Sequence, residues 1–65
     1  MVLLMNTNPR TSRLVLVQLL LKETQKDVAF YTRRVEADPS EANRKALADA
    51  EAMAFFYEEE VQIYS

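Results

Sequence analysis

Two stripes of mostly apolar residues run in opposite directions from Pro39 with identical spacing. The stripe on the N-terminal side consists of Val35, Tyr31, Val28, Thr24, Leu21, Val17 and Leu14. The stripe on the C-terminal side consists of Asn43, Leu47, Ala50, Ala54, Tyr57, Val61 and Tyr64. Steps of four and three residues alternate in both stripes, so each stripe falls on one face of an α-helix. Because this repeat is typical of coiled-coil packing, we predict two helices that fold back at Pro39 and face each other along a seam formed by the two stripes.

The start of the first helix is indicated by Asn8 and Pro9. Asn is a favourable N-cap residue, and Pro is favourable at the first helical position because the N–H that it lacks would be unpaired there anyway. Thr11 and Ser12 are alternative caps. We therefore predict that helix 1 covers about residues 9–37.

The turn between the helices is predicted at residues 38–39. Pro39 disfavours helical backbone geometry at the residue before it, which ends helix 1. The same segment begins helix 2, with Asp38 as the N-cap, Pro39 at the first helical position and Glu41 completing a capping box. Helix 2 is predicted over about residues 39–63.

The size and composition of the chain limit what else it can form. Its 65 residues are enough for one small domain, which we place at residues 9–65 after an apolar tail at residues 1–8. The chain contains no Cys, His or Gly. Disulfides, thiolate metal sites and glycine-rich phosphate loops are therefore excluded, and the commonest metal ligand is missing. The lack of cysteine fits a reducing compartment, and we expect a cytoplasmic protein.

The sequence offers no constellation for catalysis. A serine or threonine nucleophile would have no histidine to activate it. The carboxylate run Glu58–Glu60 could attract a divalent cation, but successive helical residues point about 100° apart and cannot converge on one ion. We expect a solvated acidic face there, compensated by Arg10 or Arg13 at the start of helix 1 or by a partner. We therefore predict a protein that is not an enzyme and has no metal or cofactor.

Large apolar side chains remain after the seam is filled. They are Leu16, Leu19, Leu20, Phe30, Met53, Phe55, Phe56 and Ile63. This many on a short hairpin is typical of an interaction surface. We predict an all-α protein in which an antiparallel helical hairpin self-associates into a four-helix bundle, as a homodimer. The predicted association surface consists of Leu16, Leu20, Met53, Phe56 and Ile63. The alternatives are that the tail covers these residues or that a different protein does.

The distribution of charge bears on how two hairpins dock. Residues 1–45 carry eight basic and five acidic side chains, a net charge of +3, whereas residues 46–65 carry five acidic side chains and no basic one. An antiparallel dimer places the basic turn of one copy near the acidic end of the other, so we favour it over a parallel dimer. The cluster of leucines at the open end favours the opposite arrangement, because it would meet itself.

The predicted function is a non-enzymatic protein–protein interaction module, such as a small adaptor, regulator or assembly subunit. One alternative is a nucleic-acid-binding hairpin that uses a basic tip, which consists of Arg33, Arg34, Arg44 and Lys45. The net charge of −2 argues against it. A further alternative is a peripheral membrane helix that uses the apolar residues 1–5 and 14–21 with Arg10 and Arg13 at the headgroups. We do not expect residues 14–21 to be a signal-peptide core, since no small-residue cleavage site follows them.

Overall fold

The computed structural model describes residues 9–65, which form two helices packed against each other. Helix α1 covers Pro9–Ala37 and helix α2 covers Glu41–Tyr64. The helices are antiparallel, since Arg10 near the start of α1 contacts Ile63 near the end of α2. We call the end that holds these two residues the open end, and the turn at residues 38–40 the tip. The predicted helical hairpin is confirmed, while the predicted apolar tail at residues 1–8 and its Asn8 cap lie outside the described residues.

The seam between the helices matches the predicted stripes position by position. All fourteen stripe residues are buried or half-buried. Val17 is the most buried of them, at 1% exposure, and Thr24 and Ala50 are also buried. Alanine at the middle of α2 lets the two backbones approach closely, because its side chain is a single methyl group.

The turn differs from its prediction at the start of the second helix. The N-cap of α2 is Ser40, not Asp38. The Ser40 hydroxyl accepts a hydrogen bond from the backbone N–H of Asn43 at 3.2 Å, which satisfies one of the unpaired donors of the first turn. Asp38 instead belongs to the end of α1, where its backbone N–H donates to the carbonyl of Arg34 at 2.8 Å. Helix α2 therefore begins at Glu41, two residues later than predicted.

Asn43 and Thr24, the polar residues within the stripes, donate side-chain hydrogen bonds to residues four or five positions earlier in the chain. The Asn43 side-chain amide donates to the backbone carbonyl of Asp38 at 2.8 Å and so ties the first turn of α2 to the end of α1. The Thr24 hydroxyl donates to the carbonyl of Leu20, four residues earlier in the same helix, at 2.7 Å. Because that bond satisfies the buried hydroxyl within α1, Thr24 forms no polar contact across the seam.

The hairpin is a rod with two broad faces. Its principal dimensions are 52 × 22 × 13 Å, so it is two helices wide and one helix thick. Among residues 9–65, the three buried side chains, Val17, Thr24 and Ala50, all lie in the seam. Every residue beside the seam therefore lies on one of two open surfaces, and the distribution of side chains between those surfaces determines what the hairpin can bind.

Candidate interaction surface

One of the two broad faces carries most of the apolar side chains that the seam does not use. Leu20 and Met53 line a groove of about 490 Å³ between the helices on this side. Leu16 lies one helical turn before Leu20, Phe56 lies three residues after Met53, and Ile63 lies seven residues after Phe56. Residues at these spacings share a helical face, so all five predicted association residues lie on the same side of the hairpin. We call this side the front face.

These side chains are well exposed. Leu16 is 45% exposed, Met53 47%, Phe56 51% and Ile63 57%. Leu20 is half-buried, because it lies against the seam at the wall of the groove. The front face therefore presents large apolar side chains from both helices at the open end, with Glu60 between Phe56 and Ile63 on α2.

The opposite side, the back face, is more polar. Its groove is lined by Gln25, Val28, Ala29, Glu51, Ala54, Phe55 and Glu58. Among these residues Phe55 is the only large aromatic side chain, at 62% exposure. Val15 and Leu19 are also exposed, but their positions in α1 place them on the outer edge, pointing away from α2. The two faces thus differ in kind, and the apolar one coincides with the predicted association surface.

Carboxylates border the front groove toward the middle of the hairpin. Glu23, Asp27 and Asp49 line it together with the apolar residues. Glu23 is paired with Lys26 at 3.4 Å, and Asp49 with Lys45 at 3.8 Å. Asp27 forms no ion pair with any residue in the described range 9–65. The front face therefore changes along its length from mainly apolar at the open end, where Glu60 is paired with Arg13, to acidic near the middle.

The open end is closed by two arginines of α1. The Arg13 guanidinium lies 3.7 Å from the Glu60 carboxylate. Arg10 donates to the backbone carbonyl of Ile63 at 2.7 Å, which caps the last turn of α2. Both guanidinium groups also lie about 6 Å from the ring centre of Tyr64. The expected compensation of the acidic run by these arginines is therefore present for Glu60.

The aromatic residues of the seam serve packing. Tyr31, Tyr57 and Tyr64 are all half-buried between the helices. Tyr31 makes an edge-to-face contact with Phe30 at a centroid distance of 5.1 Å, and Tyr57 makes one with Phe56 at 5.3 Å. Each contact joins a seam tyrosine to an exposed neighbour on its own helix. Phe56, the central apolar residue of the front face, therefore packs against Tyr57 of the seam.

The basic tip does not form a single patch. All four of its residues, Arg33, Arg34, Arg44 and Lys45, are exposed. Neighbouring residues of a helix diverge by about 100°, so each helix directs its two cations to different sides. Arg34 lies over the Phe30 ring at 5.6 Å, and Lys45 is paired with Asp49. Two of the four cations are therefore engaged in local contacts.

Sequence reasoning identified the five apolar residues but not the acidic border beside them. Leu16, Leu20, Glu23 and Asp27 follow one another at steps of four, three and four, parallel to the seam stripe. The helical periodicity that places the stripes in the seam also places this adjacent row beside it, so the border is visible in the sequence.

The described residues place two limits on other kinds of site. Between residues 9 and 65, no three potential metal-binding side chains come together in a group that could hold an ion. Neither α1 nor α2 has a stretch that is long and apolar enough to cross a bilayer. In comparisons with known proteins, no protein-family model, no curated protein and no solved structure matches the chain.

Proposed function

We propose that this chain is a non-enzymatic protein–protein interaction module that self-associates through its front face into a four-helix bundle. The observation that carries the proposal is that four of the eight large apolar side chains exposed among residues 9–65 lie on one face, together with the half-buried Leu20. Contiguous apolar surface of this kind is costly to leave in water, and in soluble proteins it marks interaction sites. As a homo-oligomeric bundle, the chain would serve as an adaptor, a small regulator or an assembly subunit.

The isolated hairpin has little interior of its own. Of the described residues only Val17, Thr24 and Ala50 are buried. A two-helix unit shares a single interface, and chains of this size generally need a metal, a disulfide or a partner to become stable. A second copy on the front face would convert its apolar side chains into a bundle core. Burial of each half-exposed large side chain is worth about 1 kcal/mol, and twofold symmetry makes every contact twice.

Two neighbouring phenylalanines provide a matched test. Phe56 lies on the front face, whereas Phe55 lies in the back groove and has a similar exposure, 62% against 51%. We expect Phe56→Asp to convert an oligomer into a monomer in sedimentation equilibrium, because it places a charge among the apolar side chains of the front face. Phe55→Asp should leave the association constant within about twofold of the unmodified chain, since exposed surface substitutions have small effects.

The same experiment can reject the proposal. A chain that remains monomeric at all protein concentrations, with helicity unchanged on dilution, would rule out self-association. Equal disruption by Phe55→Asp and Phe56→Asp would show that association does not use the front face. Circular dichroism of each variant, recorded at the same concentration, separates loss of association from loss of the helical hairpin.

A further inference from the structure

We infer that the second copy docks on the front face in an antiparallel and staggered arrangement, with Arg13 of each copy beside Asp27 of the other. This inference rests on the proposed function and adds the orientation and register of the two copies. It is carried by the position of Asp27, which borders the front groove and forms no ion pair with any residue between 9 and 65. It is also carried by Arg13, which lies 3.7 Å from Glu60 at the open end and whose side chain is still 48% exposed, so that it can approach a second carboxylate.

Symmetry leaves two ways to stack two copies of the front face. With the twofold axis along the helices, the copies are parallel and α1 of one faces α2 of the other. With the axis across the helices, the copies are antiparallel and each helix faces its own copy. Both arrangements are isologous, so every contact occurs twice and a single favourable or unfavourable charge pair counts double.

A parallel dimer brings like charges together. The mirrored stripes place Asp27 of α1 at nearly the same height along the hairpin as Asp49 of α2. In a parallel dimer, Asp27 of each copy would face Asp49 of the other copy, so this repulsion would occur twice. Closer to the tip, Arg34 would approach Lys45 in the same way. Juxtaposed like charges oppose association, so the parallel arrangement is disfavoured.

An antiparallel dimer with complete overlap has a similar defect. Its axis would cross α1 close to Glu23, the centre of the helix. Arg13 would then face Arg34 of the second copy, and Leu20 would face Asp27. Both contacts are unfavourable, the first through repulsion and the second because an apolar side chain would desolvate a carboxylate that has no partner.

Moving the axis to the level of Leu20 removes both defects. Leu20 then faces Leu20 of the second copy, and Arg13 faces Asp27. On α2, Met53 faces Ile63 of the second copy, and Phe56 faces Glu60, whose carboxylate is already paired with Arg13 of its own copy. The apolar residues at the open end therefore pack largely against one another around this ion pair, and the acidic border receives a cation. The shift displaces each copy by about seven residues, or about 10 Å, relative to complete overlap.

The staggered arrangement leaves the basic tips of both copies outside the interface. Each copy covers α1 of the other only up to about residue 31, so both tips project beyond the interface. Their cations, Arg33, Arg34, Arg44 and Lys45, are exposed in the hairpin and would remain exposed in the dimer. The assembly would be an elongated rod with an apolar, charge-matched centre and a basic end on each side.

Single cysteines test this arrangement cleanly, because the chain contains none of its own. Positions 13, 27, 34 and 49 are all exposed, so substitution there should preserve the fold. Pairs of single-cysteine variants are mixed at a concentration at which sedimentation shows a dimer, and are treated with a short bismaleimide cross-linker. We expect a strong heterodimer band from R13C mixed with D27C.

The control mixtures represent the competing arrangements. D27C mixed with D49C reports the parallel dimer, and R13C mixed with R34C reports complete antiparallel overlap. A stronger product from either control than from R13C with D27C would overturn the staggered arrangement, as would a dimer that gives no product in any mixture. Absence of a dimer in sedimentation would instead overturn the proposed function itself, so the two failures are distinguishable.

Discussion

The Arg13 guanidinium and the Glu60 carboxylate lie 3.7 Å apart and join the first turns of α1 to the last turns of α2. The Glu60 side chain is only 18% exposed, while that of Arg13 is 48% exposed. Because solvent screens the arginine, the pair is worth less than a buried ion pair. It nevertheless holds together the end of the hairpin that has no covalent connection in the described part of the chain.

We predict that Glu60→Gln lowers the free energy of unfolding by about 0.5–1 kcal/mol. The change removes the charge but keeps the shape of the side chain. Glu59→Gln is the matched control, since Glu59 is exposed on the outer side of the same helix and should change the stability by less than half as much. Urea unfolding followed by circular dichroism, at one protein concentration and at low and high salt, checks both values. An unchanged stability in Glu60→Gln at low salt would contradict a stabilising role for this ion pair.

Val17 should be the most sensitive apolar position of the seam, because it is 1% exposed and fully enclosed by the two helices. We predict that Val17→Ala destabilises the hairpin by about 2 kcal/mol, through lost burial and the cavity that remains. Val15→Ala makes the same chemical change two residues away, where the side chain is 50% exposed. It should cost less than about 0.5 kcal/mol. Thermal and urea unfolding of both variants would test the difference, and equal losses would place Val17 outside the core.

The seam could be predicted from the sequence because it depends only on helical periodicity. The same reasoning chose five of the remaining apolar residues, Phe56 among them, for the association surface but did not separate the others into two faces. That separation depends on which side of the seam each side chain occupies. Phe55 and Phe56 illustrate the point: they are neighbours of the same type, yet they lie on opposite faces. A count of unused apolar residues treats them alike, whereas the rotation of about 100° per residue distinguishes them.

The predicted N-cap of the second helix, Asp38, was wrong for a different reason. Asp38 and Ser40 are both favourable N-cap residue types, and both stand beside Pro39. The choice between them depends on where the backbone of α1 ends. The N–H of Asp38 still donates to the carbonyl of Arg34, so Asp38 completes the first helix and leaves the cap to Ser40. Local propensity cannot resolve this, because the two helices compete for the same short segment.

The observed cap leads to a prediction about the turn. Ser40→Ala removes the hydroxyl that accepts from the Asn43 backbone and should destabilise the hairpin by about 1 kcal/mol. Asp38→Ala keeps the backbone carbonyl that accepts from the Asn43 side chain, so its effect should be a few tenths of a kcal/mol. Urea unfolding of the two variants ranks them directly. A larger loss in Asp38→Ala would restore Asp38 as the functional cap.

The exposed basic tip leads to a prediction about nucleic acid. The two cations of each helix point to different sides, Arg34 is stacked on Phe30, and Lys45 is paired with Asp49. The chain as a whole carries a net charge of −2, which repels the phosphate backbone. We therefore expect no shift of single- or double-stranded RNA or DNA in gel electrophoresis at low salt.

A shift would become evidence for a nucleic-acid-binding hairpin only if it depended on the tip. The double variant Arg33→Glu with Arg44→Glu would then abolish it, and added salt would weaken it steeply, because binding to phosphates releases counterions. The matched control reverses Lys22 and Lys26, two exposed cations of α1 that lie away from the tip. Loss of the shift in both double variants would indicate nonspecific attraction to positive charge, whereas loss in the tip variant alone would overturn the prediction.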